Sequence, residues 1–241
     1  MSKLKNQIAV ITGASSGIGR SIALGLAAQG ATLCLMGRNL KTLEAITESA
    51  KSKASQVKTY QVDLNIDDDI QKLKQHLQQD FGYIDILIHS AGIFSMGVLE
   101  YSPVEDLDRQ YRTNVRAPYL LTQILLPMIK SRRGQIVFVN SSVGLDAKAN
   151  VGQYAATKHA LKAIADSLRD EVNAYGIRVL SIYPGRTATP MQALVHELEG
   201  KAYEPEELMQ PEDVAEVVVN ALSLPRTAEI TDINIRPLGK I

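Results

Sequence analysis

The chain has 241 residues, and 26 Lys and Arg balance 26 Asp and Glu. A formal net charge of zero argues against nucleic acid, whose phosphates favour a basic surface. An apolar fraction of 45% supplies a full core and excludes a disordered polymer, while a single cysteine, Cys34, excludes an internal disulfide and a cysteine metal cluster. A reducing, cytoplasmic setting fits, and no metal is expected. Apolar stretches such as Ile8–Ile11 fall far short of the roughly 20 residues that cross a bilayer. Residues 1–7 lack the apolar core of a signal peptide, so no membrane association is expected.

The first strand is expected over Gln7–Thr12. It runs straight into Gly13-Ala14-Ser15-Ser16-Gly17-Ile18-Gly19, which opens a helix over Gly17–Gln29 with Ile18, Ile22 and Leu26 recurring at helical spacing. Glycines at that junction permit a tight turn and let backbone N–H groups approach a pyrophosphate. The helix start then adds unpaired donors and partial positive charge. The same residues also satisfy G-x-S-x-G, the nucleophile elbow of hydrolases. That elbow needs a sheet already in place to hold its partners, and here only one strand precedes it.

The second strand, Thr32–Met36, ends in Gly37-Arg38-Asn39. An NAD site expects an acid about 20 residues beyond the glycine loop. None stands here. Arg38 instead offers a fork of donors suited to the 2′-phosphate of NADP. A helix over Leu40–Lys51 leads to a third strand, Val57–Val62, followed by Asp63 where an adenine edge would lie. The next helix, Asp67–Gln79, begins Asp67-Asp68-Asp69, matching the helix dipole. The fourth strand, Ile84–His89, opens onto His89-Ser90-Ala91-Gly92, and His89 is expected to make a structural hydrogen bond.

One long helix is expected over Ser102–Lys130, with Ser102 as N-cap, Pro103 in the first position and Glu105 completing a capping box. Asn114 lies inside it, four residues before Pro118. Proline has no N–H, so the carbonyl of residue 114 loses its helical partner and a kink is expected. The fifth strand, Gln135–Asn140, delivers Ser141. The long helix Gly152–Tyr175 carries Tyr154 and Lys158, four apart and so on one face. The sixth strand, Ile177–Tyr183, precedes Pro184-Gly185. Residues 187–210 break the alternation and are expected to be irregular, on the substrate side. Pro211–Leu222 forms the last helix and Glu229–Ile235 the last strand. None of His76, His159 and His196 has metal-binding spacing.

Strand alternating with helix specifies parallel strands joined by right-handed crossovers. The expected class is α/β: one domain over residues 1–241, a Rossmann-like doubly wound sheet of about seven parallel strands with helices on both faces. Ligands in such sheets sit outside the strand C-termini, so the glycine loop, Ser141 and Tyr154 should converge on one crevice.

With these residues placed, the chain resembles the short-chain dehydrogenase/reductase family over about Gln7–Ile235. The family's TGxxxGxG stands as Thr12, Gly13, Gly17 and Gly19. Its aspartate after the third strand is Asp63, and its helical asparagine is Asn114. The serine of the fifth strand is Ser141, thirteen residues before the tyrosine of YxxxK, here Tyr154 with Lys158. The PG motif is Pro184-Gly185, with Thr189 at the threonine position. The family's NNAG departs to His89-Ser90-Ala91-Gly92, retaining only its last two residues.

The resemblance implies an NADP(H)-dependent oxidoreductase acting between a carbonyl and an alcohol. Its catalytic set would be Asn114, Ser141, Tyr154 and Lys158. Cofactor contacts would come from Gly13, Ser15, Ser16, Gly17, Ile18, Gly19, Arg38, Asp63, Ala91, Gly92, Asn114, Tyr154, Lys158, Pro184, Gly185, Thr187 and Thr189. Carbonyl reduction needs a hydride, which a nicotinamide supplies, and a proton, which Tyr154 would supply. Lowering a phenol from about 10 to near 7 takes roughly 4 kcal/mol. An ammonium about 4 Å away at an effective dielectric of about 20 is worth a similar amount, so Lys158 is adequate. In the family, Lys158 would also bind the nicotinamide ribose, Ser141 the substrate oxygen, and a water at the Asn114 carbonyl would extend the proton path.

Substrate contacts are expected from 93–96, 143–150 and 186–200. Ile93, Phe94, Leu145, Met191 and Leu194 suggest a partly apolar pocket, with Arg186 and Lys148 available to a polar or anionic group. Small residues Ala155, Ala156, Ala160 and Ala163 allow close helix packing, and the resemblance implies a homodimer or homotetramer. Two rival readings remain. One is a catalytically weak NADP(H)-binding sensor or scaffold on the same fold. The other is a non-redox α/β enzyme such as an epimerase or hydrolase.

Overall fold

The computed structural model describes residues 2–239. Among them are seven strands: β1 (Ile8–Thr12), β2 (Thr32–Gly37), β3 (Gln56–Gln61), β4 (Ile86–His89), β5 (Gln135–Val139), β6 (Arg178–Pro184) and β7 (Asp232–Ile235). They form one all-parallel sheet in the order β3-β2-β1-β4-β5-β6-β7. β1, β5 and β6 are buried along their whole length, which is why they read as apolar runs rather than alternating ones. Chain direction across the sheet reverses between β1 and β4. The crossovers that follow these two strands run to opposite faces of the sheet, and a crevice lies at the strands' C-terminal ends.

Helices α1 (Gly17–Ala28), α2 (Leu40–Ala50) and α8 (Pro211–Leu222) cover one face, burying Ile22, Leu26, Leu43, Val214 and Val218 against Ala9, Ile11, Leu33, Ile86 and Ile182. The other face carries α3 (Asp67–Asp80), α5 (Ala117–Lys130) and α6 (Gly152–Val172). There Ile70, Leu121, Leu125, Leu161 and Leu168 pack on Ile8, Val10, Leu87, Ile136 and Phe138. Alternate residues of β1 enter opposite cores, as the two-residue strand period requires. This is the doubly wound α/β architecture that the alternation of elements specifies.

Three expectations are corrected. The helix over 102–130 is not continuous: α4 (Val104–Tyr111) passes into a π-helical stretch, Arg112–Arg116, before α5. The break falls where Pro118 denies a donor to the carbonyl of residue 114, and the ladder absorbs the loss as a π-bulge rather than a simple kink. Nor does Ser102 cap α4. Pro103 is the N-cap residue, and the Ser102 hydroxyl donates back to the Val98 carbonyl. Finally, the segment 187–210 holds a nine-residue helix, α7 (Pro190–Leu198). Thr189 caps it, its hydroxyl accepting from the Gln192 amide at 3.1 Å, and Pro190 sits at its first position.

Candidate active site

The crevice at the C-terminal ends of the central strands has a volume of about 320 Å³. Its floor is the turn from β1 into α1. Gly13 has φ +65, a conformation that disfavours any side chain, and a Cβ there would lie 2.7 Å from the Ala91 amide nitrogen. The two loops can therefore touch only through bare backbone. Thr12 fastens them together: its hydroxyl accepts from the amides of Ser90 (3.0 Å) and Ala91 (3.1 Å) and donates to the Ile88 carbonyl (3.3 Å). α1 begins without a side-chain cap and without an acid in its first turn, so its first N–H groups are left to a ligand. This uncapped helix start beside a glycine cradle suits a phosphate-bearing ligand.

Of the residues singled out in the sequence, Gly13, Ser15, Ser16, Gly17, Ile18, Gly19, Arg38, Asp63, Ala91, Gly92, Tyr154, Lys158 and Thr189 line this crevice. Arg38 is exposed at its rim, where β2 ends. Asp63 bends its carboxylate inward along the chain, accepting from the Asn65 amide (2.9 Å) and side chain (3.0 Å). Asn114, Ser141, Pro184, Gly185 and Thr187 do not line it. Thr187 is buried, its hydroxyl donating to the Gly185 carbonyl at 3.1 Å, and the Gly185 amide is spent on Ile235.

Asn114 sits in the π-bulge and points its side chain at the loop after β4. Its Oδ1 accepts from the Ile93 amide (2.9 Å), and its Nδ2 donates to the Ile93 carbonyl (2.9 Å) and to Thr157 Oγ1 (3.1 Å). The Thr157 hydroxyl donates to the Tyr154 carbonyl at 2.7 Å. The asparagine thus ties one wall of the crevice to the helix that carries the tyrosine.

Tyr154 and Lys158 lie one turn apart on α6 and are both buried. Burial pushes the Tyr154 phenol up to about 12, and the Ser141 hydroxyl beside it pulls the value partly back. Burial pushes the Lys158 ammonium down to about 8. Desolvation is the largest influence on both groups, and on the phenol it opposes the lowering expected from Lys158. The Lys158 Nζ donates to the Val139 carbonyl at 3.1 Å and stands 5.6 Å from the centre of the Tyr154 ring. Phe94 closes over the same ring edge-on, with centres 5.0 Å apart.

His89 is buried and makes a 2.8 Å hydrogen bond with Thr122 Oγ1 while stacking on Phe138. Burial drives its pKa down to about 3, so the ring is neutral. Arg186 is not free for an anionic ligand, contrary to the sequence expectation. Its guanidinium pairs with both oxygens of Glu199 (2.6 and 2.8 Å) and reaches His196 Nε2 at 3.5 Å. Arg186 in turn holds the Glu199 carboxyl below its ordinary range.

Sequence reasoning missed several crevice residues: Met36, Val62, Leu64, Asn65, Ser90, Thr113, Val139, Asn140 and Pro190. Several lie at or just past a strand C-terminus, the one signal that could have marked them.

The family model described as short chain dehydrogenase matches residues 7–199. An uncharacterised oxidoreductase of Staphylococcus epidermidis is 35% identical over 241 residues, covering 99% of this chain and all of the relative. L-sorbose reductase from Gluconobacter frateurii, solved with NADPH and L-sorbose, superposes with a TM-score of 0.88 at 26% identity, covering 99% of this chain and 98% of that one. A metagenomic short-chain oxidoreductase in complex with NADP gives a TM-score of 0.85 at 26% identity, covering 99% and 100%.

Proposed function

The chain belongs to the short-chain dehydrogenase family, and on that footing we propose that it is an NADP(H)-dependent oxidoreductase interconverting a carbonyl compound and its alcohol. One observation carries the reading. A glycine-lined crevice that takes in an uncapped helix start is also lined by Tyr154 and Lys158. NADPH, when bound, supplies the hydride. Gly13, Ser15 to Gly19 and the first N–H groups of α1 would hold its pyrophosphate, Arg38 its 2′-phosphate, and Asp63 its adenine. Lys158 and the backbone of Ala91-Gly92 would face its ribose and nicotinamide.

The protein's own contribution is a placed proton. Tyr154 Oη gives its proton to the carbonyl oxygen as the carbon becomes an alcohol carbon. In oxidation it takes the proton back. Ser141 donates to the same oxygen and holds the carbonyl against the phenol. A buried phenol at about 12 is a poor acid, so a nearby ammonium lowers the cost of the phenolate that follows transfer. Lys158 is the cation within reach. Phe94 and the burial of Tyr154 itself keep water from the phenol.

The substrate end is bounded by Ile93, Pro190 and Met191, with Phe94 against the Tyr154 ring, while the Arg186 guanidinium is held by Glu199, which Lys201 also contacts. An uncharged aldehyde or ketone with an apolar substituent fits these walls. Ala156 and Ala163 on α6, together with Tyr111 and Tyr119, are exposed and suit packing against a second copy; light scattering reads that assembly. The test of the activity is NADPH consumption over a panel of aldehydes, ketones, diketones, quinones and keto-sugars, with Tyr154→Phe alongside. Turnover abolished by Tyr154→Phe supports the reading. NADPH binding with no turnover of any panel member favours a cofactor-binding sensor instead.

A further inference from the structure

We propose that Asn140 is a positioning residue of this active site, setting Ser141 and Lys158 in register for proton transfer at Tyr154. The inference rests on the reading above. Asn140 follows the last residue of β5, and its backbone is still held by the sheet, its amide donating to the Ile182 carbonyl at 2.8 Å. From that anchored point its side chain makes two bonds. Oδ1 accepts from the Ser141 amide at 2.9 Å, and Nδ2 donates to the Lys158 carbonyl at 3.1 Å. The preceding residue, Val139, accepts from Lys158 Nζ at 3.1 Å. Two consecutive residues of one strand end therefore grip both the backbone and the ammonium of Lys158.

The clamp is enclosed. The short 3₁₀ turn Ser142–Gly144 crosses directly over it, and a Cβ on Gly144 would lie 2.6 Å from Asn140 Oδ1 and 3.1 Å from both the Cβ and the carbonyl oxygen of Lys158. Nothing larger than glycine fits there without displacing the amide. Apolar packing of α6 on the sheet sets the spacing of helix and strand, but it is non-directional and leaves rotation and sliding soft. Catalytic groups must be held to about 0.5 Å. The two directional bonds of Asn140 supply that constraint between β5, which carries the serine, and α6, which carries the tyrosine and the lysine.

The test compares Asn140→Ala and Gly144→Ala with wild type and Tyr154→Phe, using NADPH and a carbonyl substrate turned over by the wild type. Expected is a fall in kcat of at least tenfold in both variants, with KM for the carbonyl compound changed less than threefold. The pH at which reductive kcat falls by half should rise by at least half a unit, because a displaced ammonium supports the phenolate less. Partial recovery is expected in Asn140→Ser, whose hydroxyl retains one short-range partner. A structural role alone would lower Tm and leave kcat and its pH profile within twofold of wild type at a temperature where all variants are folded; that result overturns the proposal. Should Asn140→Ala fail to fold, Gly144→Ala and Asn140→Ser decide by the same criteria. Wild-type turnover that survives Tyr154→Phe would instead defeat the reading on which the proposal rests.

Discussion

Replacing Arg38 with alanine should separate the two nicotinamide cofactors. The perturbation is clean. Among the described residues the side-chain hydrogen bond made to Arg38 is to its backbone carbonyl, from Gln61 Nε2 at 3.0 Å, and alanine keeps it. Among the described residues no carboxylate pairs with the Arg38 guanidinium, so its charge is free to meet a ligand. A hydrogen bond to a charged group contributes about 1.5–3 kcal/mol, whereas an exposed ion pair is worth at most about 1 kcal/mol. Arg38 is exposed yet lines the crevice. A contribution of about 1–3 kcal/mol follows, or roughly 5- to 150-fold in NADPH affinity at about 1.4 kcal/mol per tenfold. NADH lacks the 2′-phosphate, and its affinity should change less than twofold. The assay is fluorescence titration of both cofactors against both proteins, at low and high salt. The wild-type preference should shrink as the screening length falls from about 10 Å at 0.1 M to about 3 Å at 1 M salt. Equal weakening of NADPH and NADH, or an unchanged NADPH Kd, would refute the argument.

Tyr154→Phe keeps the ring and its packing against Phe94 but removes the proton; kcat should drop by about 10²- to 10⁴-fold while the NADPH Kd, read by the same titration, stays within twofold. Gly13→Ala forces a side chain into φ +65 and a Cβ to 2.7 Å from the Ala91 amide nitrogen. The conformation alone costs roughly 1–2 kcal/mol, so urea unfolding should show at least that loss, with NADPH binding weakened; unchanged values for both would contradict the cradle. His89 governs part of the acid stability. Its folded pKa of about 3 lies below the ordinary 6.5, so below pH 6.5 the unfolded chain takes up a proton that the folded protein refuses. Its share of stability is full above pH 6.5 and is lost as pH falls toward 3, at about 1.4 kcal/mol per pH unit. Between pH 7 and pH 5, wild type should therefore lose about 2 kcal/mol more than His89→Asn, measured by urea unfolding at each pH. Parallel loss in the two proteins would disprove the buried neutral ring.

The sequence by itself determined the seven strands and their order along the chain, the parallel sheet and the place of the crevice. Strands buried on both faces, such as Ile8–Thr12 and Gln135–Val139, must be apolar at successive positions. A turn that sets Gly13 at φ +65 disfavours any side chain. Tyr154 and Lys158 share a helix face through their spacing alone. These are local demands, written over a few adjacent residues. Only the tertiary structure decided the rest. Arg186 looked free until α7 folded Glu199 against it. How strongly burial opposes ionisation of the Tyr154 phenol depends on what packs around it. Asn140 looked like the last residue of a strand until its amide was found between Ser141 and Lys158. Pairings and desolvation of this kind depend on how separate elements pack against one another in space, and a linear pattern carries no record of that.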